Sequence, residues 1–152
     1  MRYPWMNRSC LAGAIAALGV VLFSCGPSKA EQCREILDLI QQSEAQRTLG
    51  DYNRAAQQAE LQRYQALVDD LDAIRVSNSA LRDHRTQLVE AYENLIVSTH
   101  RYLEASNADG HLSYTAGDAN AEATVNAVQA QKMQAHNRID LAVGLFYTTC
   151  LN

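Results

Sequence analysis

Apolar residues recur at helical spacing through most of this chain, and this pattern constrains the fold more than any other feature. The most regular stretch, residues 80–105, repeats Leu81, Leu88, Leu95 and Tyr102 every seven residues. Such a repeat places one apolar face along a helix that packs against other helices. No segment shows the apolar-polar alternation that is typical of a half-buried strand. The sequence therefore predicts an all-α fold.

Three further segments share this spacing, so we expect residues 25–152 to form one up-down-up-down four-helix bundle. Helix one is predicted to end near Thr48, helix two to extend from about Tyr52 to Arg75, and helix four to follow Asp118. The expected inward residues are Cys33, Ile36, Leu37 and Ile40 in helix one; Tyr64, Leu67, Val68, Leu71 and Ile74 in helix two; and Val125, Val128, Ala135, Ile139, Ala142 and Phe146 in helix four.

Capping residues stand at the predicted helix starts. Ser28 and Glu31 have the S-x-x-E spacing of a capping box, in which each side chain binds the other residue's backbone N–H. Asp51, which follows Gly50, is predicted to cap helix two, and Asp118 to cap helix four.

Residues 1–24 have the pattern of a secretory signal peptide. Arg2 and Arg8 precede fourteen uncharged residues, 10–23, a run shorter than the roughly 20 apolar residues that span a bilayer. The string Leu22-Phe23-Ser24-Cys25 resembles the bacterial lipobox, whose Cys is acylated and becomes the first mature residue. The resemblance implies an extracytoplasmic protein that is held to a bacterial membrane by lipid on Cys25. Palmitate is among the acyl groups that it implies.

Two other outcomes are open for this segment. Ser28-Lys29-Ala30 resembles an ordinary signal-peptidase site, and cleavage after Ala30 would yield a secreted or periplasmic protein. The segment could also stay uncleaved as a short anchor.

The charge balance narrows the choice of partners. Without residues 1–24 the chain has 11 basic and 17 acidic residues, a net charge of −6. A nucleic-acid partner would require a basic face, so none is expected. The chain also lacks a polybasic segment for anionic lipid, so membrane attachment would depend on acyl chains.

Cys33 and Cys150 remain once Cys10 leaves with the signal peptide and Cys25 carries lipid. Both lie on inward faces, and an oxidising compartment favours a disulfide between them. They meet if helices one and two are separate, because an even number of helices returns the chain to its starting end. A single continuous rod would hold them tens of ångströms apart, at about 1.5 Å per residue. Two buried free thiols are the alternative.

The sequence carries no recognisable catalytic or metal-binding motif. We find no H-E-x-x-H, no C-x-x-C and no Gly-rich phosphate loop, and we therefore predict a protein that is not an enzyme and holds no cofactor or metal. The segment from Asn107 to Gly117 lies at the end of the predicted bundle remote from the lipid. Binding residues concentrate on such loops, and His111, Leu112 and Tyr114 are the candidate partner-binding residues.

The order of these features resembles that of small helical bacterial lipoproteins of uncharacterised function. The resemblance includes the lipobox-like start, a Cys near the mature N-terminus, the Leu71–Ser77 connection and a late Cys150. It implies the anchor and the bundle but no activity. We expect a binding or scaffolding module that contacts another cell-envelope protein. The alternative is a carrier that holds a small apolar ligand between its helices.

Cys25→Ala tests the anchor. We expect the variant to leave the membrane fraction and to lose lipid labelling, because the acyl chains are its proposed attachment. Fractionation and intact-mass analysis measure both effects. A wild-type protein that carries no lipid and begins at Glu31 would contradict the prediction.

Overall fold

The computed structural model describes residues 26–45, 53–112 and 118–151, and these residues form four helices. The helices are α1 (Lys29–Ala45), α2 (Arg54–Ala73), α3 (Ser79–Ala105) and α4 (Ala119–Leu151). Among the described residues, β-type backbone pairing is limited to one isolated antiparallel bridge between Ser106 and Leu112. The predicted all-α four-helix bundle is therefore confirmed. The predicted signal peptide and Cys25 lie outside the described residues.

Side-chain caps define where α1 and α2 begin. Glu31 Oε2 accepts from the Ser28 backbone N at 2.8 Å, and Ser28 Oγ accepts from the Glu31 N at 3.2 Å, so the predicted capping box is present. Hydrogen bonds from the Ser28 backbone and, to a smaller extent, the Ser28 side chain lower the pKa of the Glu31 carboxyl. The cap of α2 is Asn53, whose Oδ1 accepts from the Ala56 N at 2.8 Å. The prediction that Asp51 caps this helix was wrong, because α2 starts two residues later than expected.

The starts of α3 and α4 are capped in the same way. Asn78 Oδ1 accepts from the Leu81 N at 3.1 Å. Asp118 Oδ1 accepts from the N–H groups of Asn120 and Ala121, at 3.0 and 3.1 Å, as predicted. Each side chain satisfies donors that the first helical turn leaves without an intrahelical acceptor.

The core forms around α3, which packs against both α2 and α4, while α2 and α4 lie diagonally across the bundle without direct contact between their described backbones. Most residues of the predicted inward faces are buried. Tyr102 departs from its predicted role in the seven-residue repeat, because it is only half-buried. The ammonium of Lys132 lies 4.6 Å from the centre of the Tyr102 ring, so Lys132 packs on an aromatic face at the point where it interrupts the apolar stripe of α4.

Unequal helix lengths leave part of α4 outside the four-helix core. At about 1.5 Å per residue, α4 is about 50 Å long and α1 about 25 Å. The buried residues of α4 begin only at Ala135, and Val125 and Val128 stay half-exposed. We call residues 119–134, of which Gln131 and Lys132 still contact α3, the α4 overhang. None of the described helices is long and apolar enough to cross a membrane.

A disulfide joins the first helix to the last. Cys33 and Cys150 are bonded, with their Cα atoms 5.7 Å apart and a sequence separation of 117, which confirms the predicted pairing. Next to it, Gln32 fixes α1 to the connection between α2 and α3. Its Nε2 donates to Pro27 O and Ser77 Oγ, at 2.6 and 2.8 Å, and its Oε1 accepts from the Ser77 N at 2.8 Å. We call this region the disulfide end.

Replacing both Cys33 and Cys150 with Ser tests the importance of this link. A cross-link across more than 100 residues lowers the entropy of the unfolded chain, and the double variant should lose up to about 4–5 kcal/mol of unfolding free energy. Urea denaturation measures the loss, and non-reducing peptide mapping of the wild type verifies the bond. Two free thiols in the wild type would refute the disulfide. An unchanged urea midpoint in the double variant would refute its stabilising effect.

Candidate functional site

The segment after α3 is a compact, hydrogen-bonded loop, which we call the 106–112 loop. The Asn107 N donates to the His111 carbonyl at 2.8 Å, and the Gly110 N donates to the Asn107 carbonyl at 3.0 Å. The Asn107 side chain completes the turn, since its Oδ1 accepts from the N–H groups of Asp109 and His111, each at 3.0 Å. Asn side chains often stabilise turns in this way. The described part of the predicted 107–117 segment therefore has a defined conformation.

Arg54, in the first turn of α2, holds this loop against the body of the bundle. Its Nη1 donates to the carbonyls of Leu103, Ser106 and Asn107 at 2.9, 3.1 and 3.3 Å. The last carbonyls of a helix lack intrahelical donors, and a cation there also interacts favourably with the helix dipole. Arg54 therefore caps α3 and sets the direction in which the chain leaves it.

Gln57 and Gly110 form the second contact between α2 and the loop. Gln57 is buried, and its Nε2 donates to the Gly110 carbonyl at 3.1 Å. Gly110 has a φ of +84°, and a Cβ at this position would lie 2.4 Å from the Arg54 backbone N. The close approach of the two backbones therefore requires glycine here.

The 106–112 loop presents two of the three predicted partner-binding residues. His111 is exposed and Leu112 is half-buried, while Tyr114 lies outside the described residues. The loop is at the far end of α3 from Ser77 and hence from the disulfide end, as the predicted topology required. Sequence reasoning missed Arg54 and Gln57. Their spacing of three residues places them on one face of α2, but nothing local to them indicates a contact about 50 residues away.

A polar cluster lies between α2 and α3, near the middle of the bundle. The Tyr64 hydroxyl donates to Glu60 Oε1 at 2.9 Å, and Arg63 Nη2 is 3.6 Å from the same oxygen. The Arg63 guanidinium carbon is 4.9 Å from the centre of the Tyr64 ring, and the ring centres of Tyr64 and Tyr92 are 5.6 Å apart. Burial is the main cause that raises the pKa values of both tyrosines. Both phenols are therefore neutral at physiological pH, and neither can act there as a general base.

The described residues offer little support for a metal site or an enclosed ligand site. Within 26–45, 53–112 and 118–151, no three His, Cys, Asp or Glu side chains converge as metal ligands would. A groove of about 380 Å³ opens on the surface between α2 and α3, with Val68, Ile96 and Val97 beside Asp69 and Glu93. It is the feature most relevant to the predicted carrier role, but it is an open surface groove with carboxylates at its edge.

Gly110→Ala and Gly144→Ala form a matched pair that tests the loop contact. Alanine at 110 must adopt a left-handed φ against the Arg54 backbone, so the free energy of unfolding should fall by at least about 1–2 kcal/mol. Gly144 is an exposed helical position, and apart from its chain neighbours and its own helix backbone no atom lies within 4 Å of the added Cβ. Alanine there should raise the free energy of unfolding by about 0.5–1 kcal/mol. Urea denaturation measures both, and equal effects of the same sign would contradict the described loop.

Comparison of the chain with protein-family models, with curated protein sequences and with solved structures finds no significant match in any of the three. The function proposed below is therefore based on the residues and the geometry of this chain alone.

Proposed function

We propose that the chain is a lipid-anchored, extracytoplasmic helical bundle that binds or scaffolds another protein of the cell envelope and is not an enzyme. The observation that carries this proposal is the separation of the two ends of the bundle. The chain enters at the disulfide end, where Gln32 binds Pro27, and the 106–112 loop lies at the opposite end of α3. With 27 residues, α3 is about 40 Å long. An anchor on Cys25 would therefore leave the loop facing away from the membrane.

The internal structure of the loop also favours a binding role. Loops on rigid scaffolds commonly carry binding residues. Association costs free energy when side chains and loops become ordered, and a loop that is already fixed avoids part of that cost. Arg54, Gln57 and Asn107 provide the fixed geometry here. His111 and Leu112 then offer a polar and an apolar group side by side, and Tyr114 adds an aromatic residue of the kind enriched at interfaces.

The carrier role has less structural support and stays a prediction. Ligand sites are usually concave and mostly apolar, and they enclose most of the ligand surface. The groove between α2 and α3 has the volume for a small molecule, but its edge carries Asp69 and Glu93. Native mass spectrometry of purified protein that retained a small ligand would favour the carrier over the binding module.

Replacing His111, Leu112 and Tyr114 together with Ser tests the binding role. We expect the variant to lose at least one partner that the wild type captures from detergent-solubilised envelope, because the proposed anchoring side chains are gone. Quantitative mass spectrometry of the captured proteins measures this, and the melting temperature verifies folding. The control replaces the exposed Val97 and Met133 with Ser, which removes apolar surface away from the loop.

Arg54→Met provides an independent variant, since it keeps the three proposed binding side chains but removes the Arg54 hydrogen bonds that fix the 106–112 loop. The variant should capture less of the envelope partner than the wild type does, because a less ordered 106–112 loop must be fixed when the partner binds. Identical partners at identical yield with the triple variant, at an unchanged melting temperature, would show that the loop is only a connector.

A further inference from the structure

The last three turns of α4 are unusual for a surface helix, because residues 141–151 contain no charged side chain. Phe146 and Ala142 face the core and are buried. On the outer side, Leu141 is 65% exposed, Leu145 43% and Leu151 85%. A helix on the surface of a soluble bundle normally presents charged or polar residues outward. We call Leu141, Leu145 and Leu151 the α4 leucine strip.

The strip extends to the end of the bundle at which the chain enters. Leu151 follows Cys150, which is bonded to Cys33. Gln32, the residue before Cys33, binds Pro27. Cys25, the proposed lipid site, is two residues before Pro27 in the sequence. An anchor on Cys25 would therefore hold the uncharged end of α4 close to the lipid surface.

We propose that the α4 leucine strip rests on the lipid surface to which the chain is anchored, as a second membrane contact made by the folded protein itself. This inference rests on the lipid anchor of the proposed function. The bundle would be inclined with α4 towards the bilayer, so that Leu151 lies deepest and Leu145 and Leu141 follow. Apolar side chains of amphipathic segments insert about 5–10 Å into the boundary between headgroups and acyl chains.

Lipid fits the strip better than a second copy of the chain. A stable protein interface buries about 800 Å² from each partner, with an apolar centre. The strip is narrow, and the groove beside Leu141 and Leu145 is bordered by the charged residues Glu90 and Arg138. Because the segment 141–151 is uncharged, the contact should not depend on anionic lipid or on salt.

Tryptophan probes test the contact in the full chain. The one tryptophan of the sequence, Trp5, lies in the proposed signal peptide, so a Trp5→Phe background is free of tryptophan fluorescence in the mature protein and in any uncleaved precursor. Into it we place either Leu151→Trp or, as the matched control, Met133→Trp. Met133 is 59% exposed on the same helix, 18 residues from Leu151, which is about 27 Å along the axis. Each protein is isolated from bacterial membranes and reconstituted into phosphatidylcholine vesicles with or without brominated acyl chains.

The expected result is that the tryptophan at 151 emits at shorter wavelength in vesicles and is quenched by brominated lipid on the order of twofold or more above the tryptophan at 133. The difference should persist at high salt. If both proteins float with the vesicles but neither tryptophan is quenched, the anchor is supported and the α4 contact is refuted. Concentration-dependent dimers that shield position 151 in detergent would refute it in favour of a second copy. Failure of both proteins to float would refute the anchor, and with it this inference.

Discussion

The arrangement of this bundle depends on the covalent link between Cys33 and Cys150. α1 is the shortest helix and covers only part of the length of α3 and α4, so its own apolar contacts secure it less than those of the other helices. The disulfide fixes the position of α1 along α4. Two hydrogen bonds between Gln32 and Ser77 hold α1 against the connection between α2 and α3, and a third joins Gln32 to Pro27. These bonds hold three separate parts of the chain at one end. The position of Pro27 at this end of the bundle follows from them.

Two arginine side chains bind the last carbonyls of α2 and α3 and so hold the connections between helices in place. Arg85 of α3 donates to the Ile74 carbonyl at 2.7 Å and lies 3.5 Å from the carbonyls of Leu71 and Asp72, at the end of α2. Arg54 of α2 does the same for the end of α3. Helices commonly end with a glycine that turns the chain and satisfies the last carbonyls locally. Here the next helix, or the preceding one, supplies the donor instead, so each cap is also a contact between helices.

Local patterns predicted most of the fold, and the errors arose where distant residues decide the structure. The capping box at Ser28 and the repeat of Leu81, Leu88 and Leu95 depend on neighbours in the sequence, and they were read correctly. Tyr102 continued the same repeat but is only half-buried, and the ammonium of Lys132, on another helix, packs on its ring. The bracing of the 106–112 loop was not predicted either. It depends on an arginine on another helix, and only the folded arrangement brings Arg54 to those carbonyls.

The α4 overhang gives the molecule an uneven distribution of local stability. Regions with few buried apolar contacts open by local fluctuations that cost far less free energy than global unfolding. Residues 119–134 have no fully buried side chain, whereas Ala135, Ile139 and Phe146 belong to the core next to the cross-linked end. Amide hydrogens should therefore exchange rapidly in the first turns of α4 and much more slowly between Ala135 and Phe146. One continuous helix would then contain both a segment that opens readily and a strongly protected one.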